Sequence, residues 1–208
     1  MTPTELQKHF AAQPGSGQIG SAFAAEGLAY WLRRLRPLRV VEVGSGIGFL
    51  TTVILRALRE VQFGGLVSAV EPNAWCRERC IENVKRFGHR VPALYTDWRD
   101  VAHIDFLVID GGDRRNDYYG NLTKRAGVFF EGGRREQRAT LRTMYAGGRP
   151  FIEATWKPRW TRHKGYAVVL FDPTRVERLW IAAVRVREWV LDGIARARGR
   201  AIGKRRAG

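Results

Sequence analysis

The chain has 208 residues, of which 45% are hydrophobic and 27% are charged. This length and composition are those of a globular protein with one domain and a sizeable core. No apolar run reaches the ~18 residues of a membrane-spanning helix, and the first residues lack the apolar core of a signal peptide. The two cysteines, Cys76 and Cys80, are too few for a disulfide framework or a cysteine metal site. We expect reduced thiols and a cytoplasmic location.

The net charge is +16, and this excess of positive charge is compatible with a polyanionic partner. A nucleic acid is one such partner, and a membrane surface is another. Arginine far outnumbers lysine, and much of the excess lies in the tail RARGRAIGKRR, residues 196–206. An arginine-rich proteome and a solvated tail would also account for the charge, and this simpler explanation is preferred.

Helices and strands alternate along most of the chain. Helices are predicted over residues 5–13 and 20–35, before the alternating part begins. Further on, strands are predicted over residues 38–45, 65–72, 92–97, 104–112 and 127–133. The helices between them are predicted over residues 49–60, 73–88, 117–126 and 135–146. Two final strands, 149–156 and 165–172, precede a long helix from about residue 173 to 196.

This alternation predicts an α/β fold of the Rossmann-like type, in which helices cover both faces of a mostly parallel sheet. The two final strands leave no room for a helix between them, so they should pair as an antiparallel hairpin. We expect one domain over residues 1–208. It would consist of a helical N-terminal cap (1–35), a core (36–172), and a C-terminal helix with a basic tail (173–208).

A glycine-rich turn follows the first predicted strand, in the sequence VVEVGSGIGFLTT. Gly44, Gly46 and Gly48 stand between a strand and a helix, where backbone can approach a nucleotide-like ligand. A dinucleotide fingerprint would need a third glycine at position 49, which is Phe49. No Gly-Lys-Ser/Thr follows either, so this is not a triphosphate-binding loop.

Acidic residues follow the glycines at the ends of the strands. Glu42 is expected to face the same cleft, where it could meet an ammonium group. Glu71 ends the second strand and is placed to accept hydrogen bonds from ribose hydroxyls. Asp97 ends the third strand and is followed by Trp98, a pair suited to the amine and the ring of adenine. Together these residues suit a ligand with an amine, a ribose and an adenine but no phosphate.

The motifs VEVGSGIG, AVEPN, YTDW and IDFLVIDGGD, in this order, resemble those of the class I S-adenosylmethionine (SAM) methyltransferases. The resemblance covers roughly residues 36–172. It implies a seven-stranded sheet with the last strand inserted antiparallel, and methyl transfer from SAM. The implied SAM-binding residues are Glu42, Gly44, Ser45, Gly46, Glu71, Pro72, Asp97, Trp98 and Asp110. The alternative is a non-catalytic Rossmann-like binding or scaffold protein whose glycines only make turns.

The segment IDGGDRRND, with Asp110, Asp113 and Asn116, resembles the acid-rich segment of the cation-dependent small-molecule O-methyltransferases. In that family an Asp-Asn pair after the fifth strand completes the metal site. Here Glu131 and Gly132 stand in its place, so the amide ligand is missing. A divalent cation stays open as a possibility but is not favoured, and no metal ligand is assigned.

The acceptor would lie near the ends of the fourth and fifth strands. The catalytic candidates are Asp110, Glu131 and His163. Neither the Asp/Asn/Ser-Pro-Pro-aromatic motif of amino-group methyltransferases nor a Pro-Cys nucleophile occurs, which argues against base methylation. We therefore expect a small-molecule acceptor methylated at oxygen, with an RNA-directed methyltransferase as the alternative.

Two further segments lie outside these motifs. The loop TWKPRWTRHKGY, residues 155–166, could hold an anionic or aromatic acceptor, stack unpaired bases, or be an exposed hairpin tip. The last helix has apolar residues on more than one side, which suggests a partner besides the body of the protein. A symmetric homodimer is the simplest candidate, and a membrane surface is another because arginines flank the helix. The main stripe consists of Val176, Trp180, Ala183, Val190 and Ile194.

Overall fold

The computed structural model describes residues 1–111, 119–132, 135–156, 165–186 and 190. Its helices are α1 (Pro3–Ala11), α2 (Ala22–Leu35), α3 (Phe49–Glu60), α4 (Ala74–Arg86), α5 (Arg135–Ala146) and α6 (175–186). Its strands are β1 (Arg39–Val43), β2 (Leu66–Val70), β3 (Ala93–Tyr95), β4 (Ile104–Ile109), β5 (Leu122–Glu131), β6 (Phe151–Trp156) and β7 (Tyr166–Phe171).

The seven strands form one sheet in the order β3-β2-β1-β4-β5-β7-β6. Strands β1 to β5 run parallel, and β7 lies antiparallel between β5 and β6. The predicted α/β Rossmann-like fold is therefore confirmed. The strand order reverses between β1 and β4, and ligands bind beyond the carboxyl ends of the strands at such a switch point.

The sheet is covered on both faces by hydrophobic cores. Successive strand residues alternate between the cores: Phe106 and Val108 belong to one, and Leu107 and Ile109 belong to the other. The first core contains residues of α1, α2, α3 and α6. The N-terminal cap and the last helix therefore share one core with the sheet.

The helix predicted over residues 117–126 is wrong in its described part, because β5 begins at Leu122. Leu122 is in register with Ile104 of β4, and the Thr123 hydroxyl donates a hydrogen bond to the Asp105 carboxylate at 2.9 Å. Pairing with β4 therefore overrides the helical preference of this segment.

The last helix was predicted to reach about residue 196, and the structure describes it over 175–186, with residue 190 also helical. Ile194 and the basic tail lie outside the described residues. No helix in the described part of the chain has the length and apolar character needed to cross a membrane.

The aromatic residues at the ends of the predicted hairpin loop belong to the body of the protein. Trp156 stacks on Tyr166, with ring centroids 5.1 Å apart, and meets Trp31 edge-on at 5.5 Å. Tyr166 lies so close to α2 that a side chain at Gly27 would collide with its ring. These two aromatic residues are therefore part of the packing. Residues 157–164, including His163, lie outside the described part.

Candidate active site

A cavity of about 460 Å³ opens at the carboxyl ends of β1, β2 and β4. The glycine loop, Ile47, Phe49 and Leu50 form part of its wall, and Glu71 and Asp110 are the two carboxylates among its described lining residues. None of the described residues that line it is Lys, Arg or His. In a chain with a net charge of +16, the described residues that line this cavity carry only negative side-chain charge.

The loop after β1 passes very close to the end of β4. The Gly111 amide donates to the Val43 carbonyl at 3.1 Å. A Cβ on Gly44 would lie 2.5 Å from the Gly111 nitrogen, and Gly44 has a φ of 85°. Both the close approach and the left-handed backbone require glycine at this position.

Glu71 lies at the end of β2 and is held by two backbone amides. Its carboxylate accepts hydrogen bonds from the amides of Gly46 at 2.9 Å and Asn73 at 3.0 Å. The Arg77 guanidinium donates to the Glu71 carbonyl at 2.8 Å. Each carboxylate oxygen has a second acceptor site, so Glu71 can also accept hydrogen bonds from a ligand in the cavity.

Glu42 lies within β1 and is fully buried behind the glycine loop, not among the residues that line the cavity. The Thr51 hydroxyl donates to its Oε2 at 2.5 Å, and its Oε1 accepts no hydrogen bond from any residue that the structure describes. Burial raises the pKa of Glu42 to about 8, against the Thr51 hydrogen bond and with a smaller contribution from the Glu71 charge. Glu42 is therefore largely protonated at neutral pH.

This buried carboxyl makes stability depend on pH. Its folded pKa of about 8 lies above the ordinary value of 4.5, so between these values the unfolded chain releases a proton that the folded chain keeps. Stability therefore falls as pH rises through this window and levels off above it. The test is thermal unfolding of wild type and Glu42→Gln across pH. The Tm of Glu42→Gln minus that of wild type should rise by at least about 4 °C from the lower to the upper end of this window. Exposed Glu78→Gln is the control, and parallel curves for wild type and Glu42→Gln would contradict the prediction.

Asp110 follows β4, and Glu131 is the last residue of β5; the last aligned pair of these two strands is Ile109 and Phe130. The two carboxylates thus stand at adjacent positions on neighbouring strands, and both are buried. Asp110 lines the cavity, whereas Glu131 does not. The amide of Ser21, at the start of α2, donates to Glu131 Oε1 at 3.1 Å, and a helix N-terminus favours negative charge.

Other candidates lie elsewhere. Asp97 and Trp98 do not line the cavity. The Asp97 carboxylate accepts hydrogen bonds from the Arg99 amide at 2.9 Å and its guanidinium at 2.6 Å. Asp113 and Asn116, like His163, lie outside the described residues. Within the part of the chain that the structure describes, no three His, Cys, Asp or Glu side chains are grouped to hold a metal ion.

Sequence reasoning missed the N-terminal segment as part of the site. Gly15, Gly17, Gln18 and Ile19 line the cavity, and Gly15 lies against the ring of Trp75 in α4. The sequence QPGSGQ was interpreted only as a break between two helices, although its glycines permit the close approach. Asn73 and Cys76 also line the cavity. Because both residues follow Glu71 closely in the sequence, their position could have predicted that they lie near the site.

The sequence matches no protein-family model and no curated protein sequence. Solved structures share its fold. The O-methyltransferase from Bacillus cereus, in complex with S-adenosylhomocysteine (SAH), aligns with a TM-score of 0.65 at 15% identity, over 82% of this chain and 90% of that one. The O-methyltransferase TomG from Streptomyces achromogenes, involved in tomaymycin synthesis and in complex with SAM, aligns with a TM-score of 0.63 at 16% identity, over 82% and 88%. The chain therefore has the fold of the class I SAM-dependent methyltransferases.

Proposed function

We propose that this protein is a SAM-dependent methyltransferase that methylates a small-molecule acceptor at oxygen. The observation that carries the proposal is the cavity with two carboxylates, Glu71 and Asp110, and no cation among its described lining residues. Such a cavity attracts a ligand with positive charge on sulfur and nitrogen and repels the phosphates of a dinucleotide. SAM supplies an electrophilic methyl group on a positively charged sulfur.

The residues of the cavity fit the parts of this ligand. Glu71, held by two backbone amides, would accept hydrogen bonds from the ribose hydroxyls. The loop of Gly44, Ser45 and Gly46 would lie along the methionine part, where the glycines leave room. Pro72 would pack beside the ribose.

Adenine recognition by Asp97 and Trp98 stays a prediction of the sequence. The contact between Asp97 and Arg99 would have to rearrange for Asp97 to reach a ligand in the cavity.

A hydroxyl acceptor must lose its proton, and Asp110 is the group at the cavity that could take it. Glu131, buried at the neighbouring strand end, places a second carboxyl group beside this position. The amide of Ser21 would keep Glu131 in position. His163 remains the alternative base.

The function is tested in two steps. Calorimetry should first show that SAH binds, and methyl transfer from labelled SAM to a panel of hydroxyl compounds should then identify an acceptor. Asp110→Asn should lower the rate of transfer by roughly 10²- to 10⁴-fold while SAH still binds. Absence of SAH binding would favour the non-catalytic scaffold. If Asp110→Asn bound SAH and transferred the methyl group at the wild-type rate, Asp110 would not be the base that takes the acceptor's proton.

The need for a metal has its own test. Because Glu131 and Gly132 stand in place of the Asp-Asn pair, we expect transfer to survive a chelator. Loss of activity with the chelator and its return with magnesium or manganese would show that a divalent cation activates the acceptor.

The remaining partners are predictions of the sequence. A nucleic-acid partner would make the protein an RNA-directed methyltransferase instead, and gel shifts across salt concentrations test it. RNA binding that survives deletion of residues 196–208 would favour that alternative, whereas binding lost with the tail reflects only charge attraction. A homodimer through the last helix and a cytoplasmic location also remain predictions.

A further inference from the structure

Helix α6 carries a row of exposed apolar side chains, which we call the α6 stripe: Val176, Leu179, Ala183, Val186 and Val190. Their spacing of three and four residues places them on one side of a helix. The exposed fractions of the four larger side chains are 67%, 64%, 61% and 44%. Contiguous apolar surface of this kind marks a binding face more often than a chance exposure.

The orientation of α6 is fixed by its opposite side. Ile181 is 2% exposed and belongs to the first core, and Trp180 meets Trp31 edge-on with centroids 4.9 Å apart. Glu177 accepts hydrogen bonds from the Arg125 guanidinium at 3.0 Å and from the Thr174 hydroxyl at 2.8 Å. One side of the helix therefore packs on the body of the protein, and the residues of the α6 stripe take no part in that packing.

Cations and aromatic rings border the α6 stripe. Arg175 stands beside the α6 stripe, four residues before Leu179, and the exposed Arg178 and Arg185 lie further round the same helix. On the other edge of the α6 stripe the Arg34 guanidinium lies over the Trp180 ring, 5.3 Å from its centroid. Tyr30, which is 45% exposed, stacks on the same tryptophan.

We propose that the α6 stripe binds the surface of a membrane that contains anionic lipids. An apolar helix face edged by arginines enters the boundary between headgroups and acyl chains to a depth of roughly 5–10 Å. Tryptophan and tyrosine favour the same boundary, which suits Trp180 and Tyr30. The arginines would then meet lipid phosphates.

Charge decides between this partner and a second copy of the chain. In an antiparallel symmetric pair through the α6 stripe, the arginine-bearing helices of the two copies would lie against each other, with Arg175 near the contact in both. Among the described residues of α6 the acid is Glu177, which lies on the packed side and is paired with Arg125. A second copy thus offers like charge, whereas an anionic bilayer offers both hydrocarbon and negative charge.

The test is co-sedimentation of the full chain with vesicles of phosphatidylcholine, with and without phosphatidylserine. We expect binding that needs phosphatidylserine and falls at least about tenfold in the double variant Leu179→Ser/Val186→Ser. Arg175→Gln should weaken binding about fivefold. The matched control is Leu66→Ser, because Leu66 is 67% exposed at the start of β2. It should bind like wild type.

Circular dichroism of each variant shows that the fold is kept. Absence of binding, or binding that the double variant leaves unchanged, would overturn the proposal, because the basic tail alone would then explain any attraction. A dimer in light scattering that Leu179→Ser dissolves would assign the α6 stripe to a second copy instead. RNA binding weakened by the double variant but not by Leu66→Ser would assign it to RNA. None of these outcomes depends on methyl transfer.

Discussion

Replacing Gly44 with alanine should lower the affinity for SAH at least about a hundredfold, because two costs add at this position. The backbone φ of 85° is strained for any residue with a side chain. The new Cβ would also lie 2.5 Å from the Gly111 nitrogen, which is backbone and cannot move away alone. The loop after β1 or the end of β4 must shift, and Asp110 would shift with it.

The matched control is Gly88→Ala. Gly88 has a φ of 69°, but a Cβ there would meet nothing within 4 Å, and the residue lies outside the cavity. Both variants should lose stability through backbone strain, and Gly44→Ala should also lose SAH binding in calorimetry. Equal affinities for SAH in the two variants would show that the close approach to Gly111 does not shape the site.

The sequence was sufficient to predict the order of most strands and helices and the fold, because buried parallel strands and glycine turns leave a strong local pattern. It was not sufficient to predict that Glu42 is buried behind the glycine loop and does not line the cavity. β1 lies between β2 and β4 and is covered on both faces, so an acid within the strand is buried wherever it points. Glu71, just past the end of β2, lines the cavity instead.

The N-terminal segment shows a second limit. Residues 15–19 reach the cavity only because α1 and α2 pack on α3, and Ser21 meets Glu131 across 110 residues of sequence. A local pattern carries no signal of such a contact. The start of β5 at Leu122 could not be predicted for the same reason, because Leu122 pairs with Ile104 of β4 rather than with a neighbour along the chain.

Glu71→Gln should lower the affinity for SAH roughly a hundredfold, since hydrogen bonds to a charged group contribute about 1.5–3 kcal/mol each. The carboxylate accepts from the amides of Gly46 and Asn73, and an amide side chain would set its NH₂ group against one of these donors. Exposed Glu78→Gln, on the neighbouring helix α4, removes the same charge without these contacts and should bind SAH normally.

A change in the ligand tests whether Glu71 binds the ribose hydroxyls. An SAH analogue without the ribose hydroxyls should bind wild type much more weakly than SAH does, because the hydrogen bonds from those hydroxyls to the Glu71 carboxylate are then lost. Glu71→Gln should discriminate far less between the two ligands, since the two losses share one interaction. Calorimetry of both proteins with both ligands gives the coupling. If removing the hydroxyls lowered affinity by the same factor in wild type and in Glu71→Gln, the ribose would be held by another residue, and Glu71 would serve only to shape the loop through Gly46.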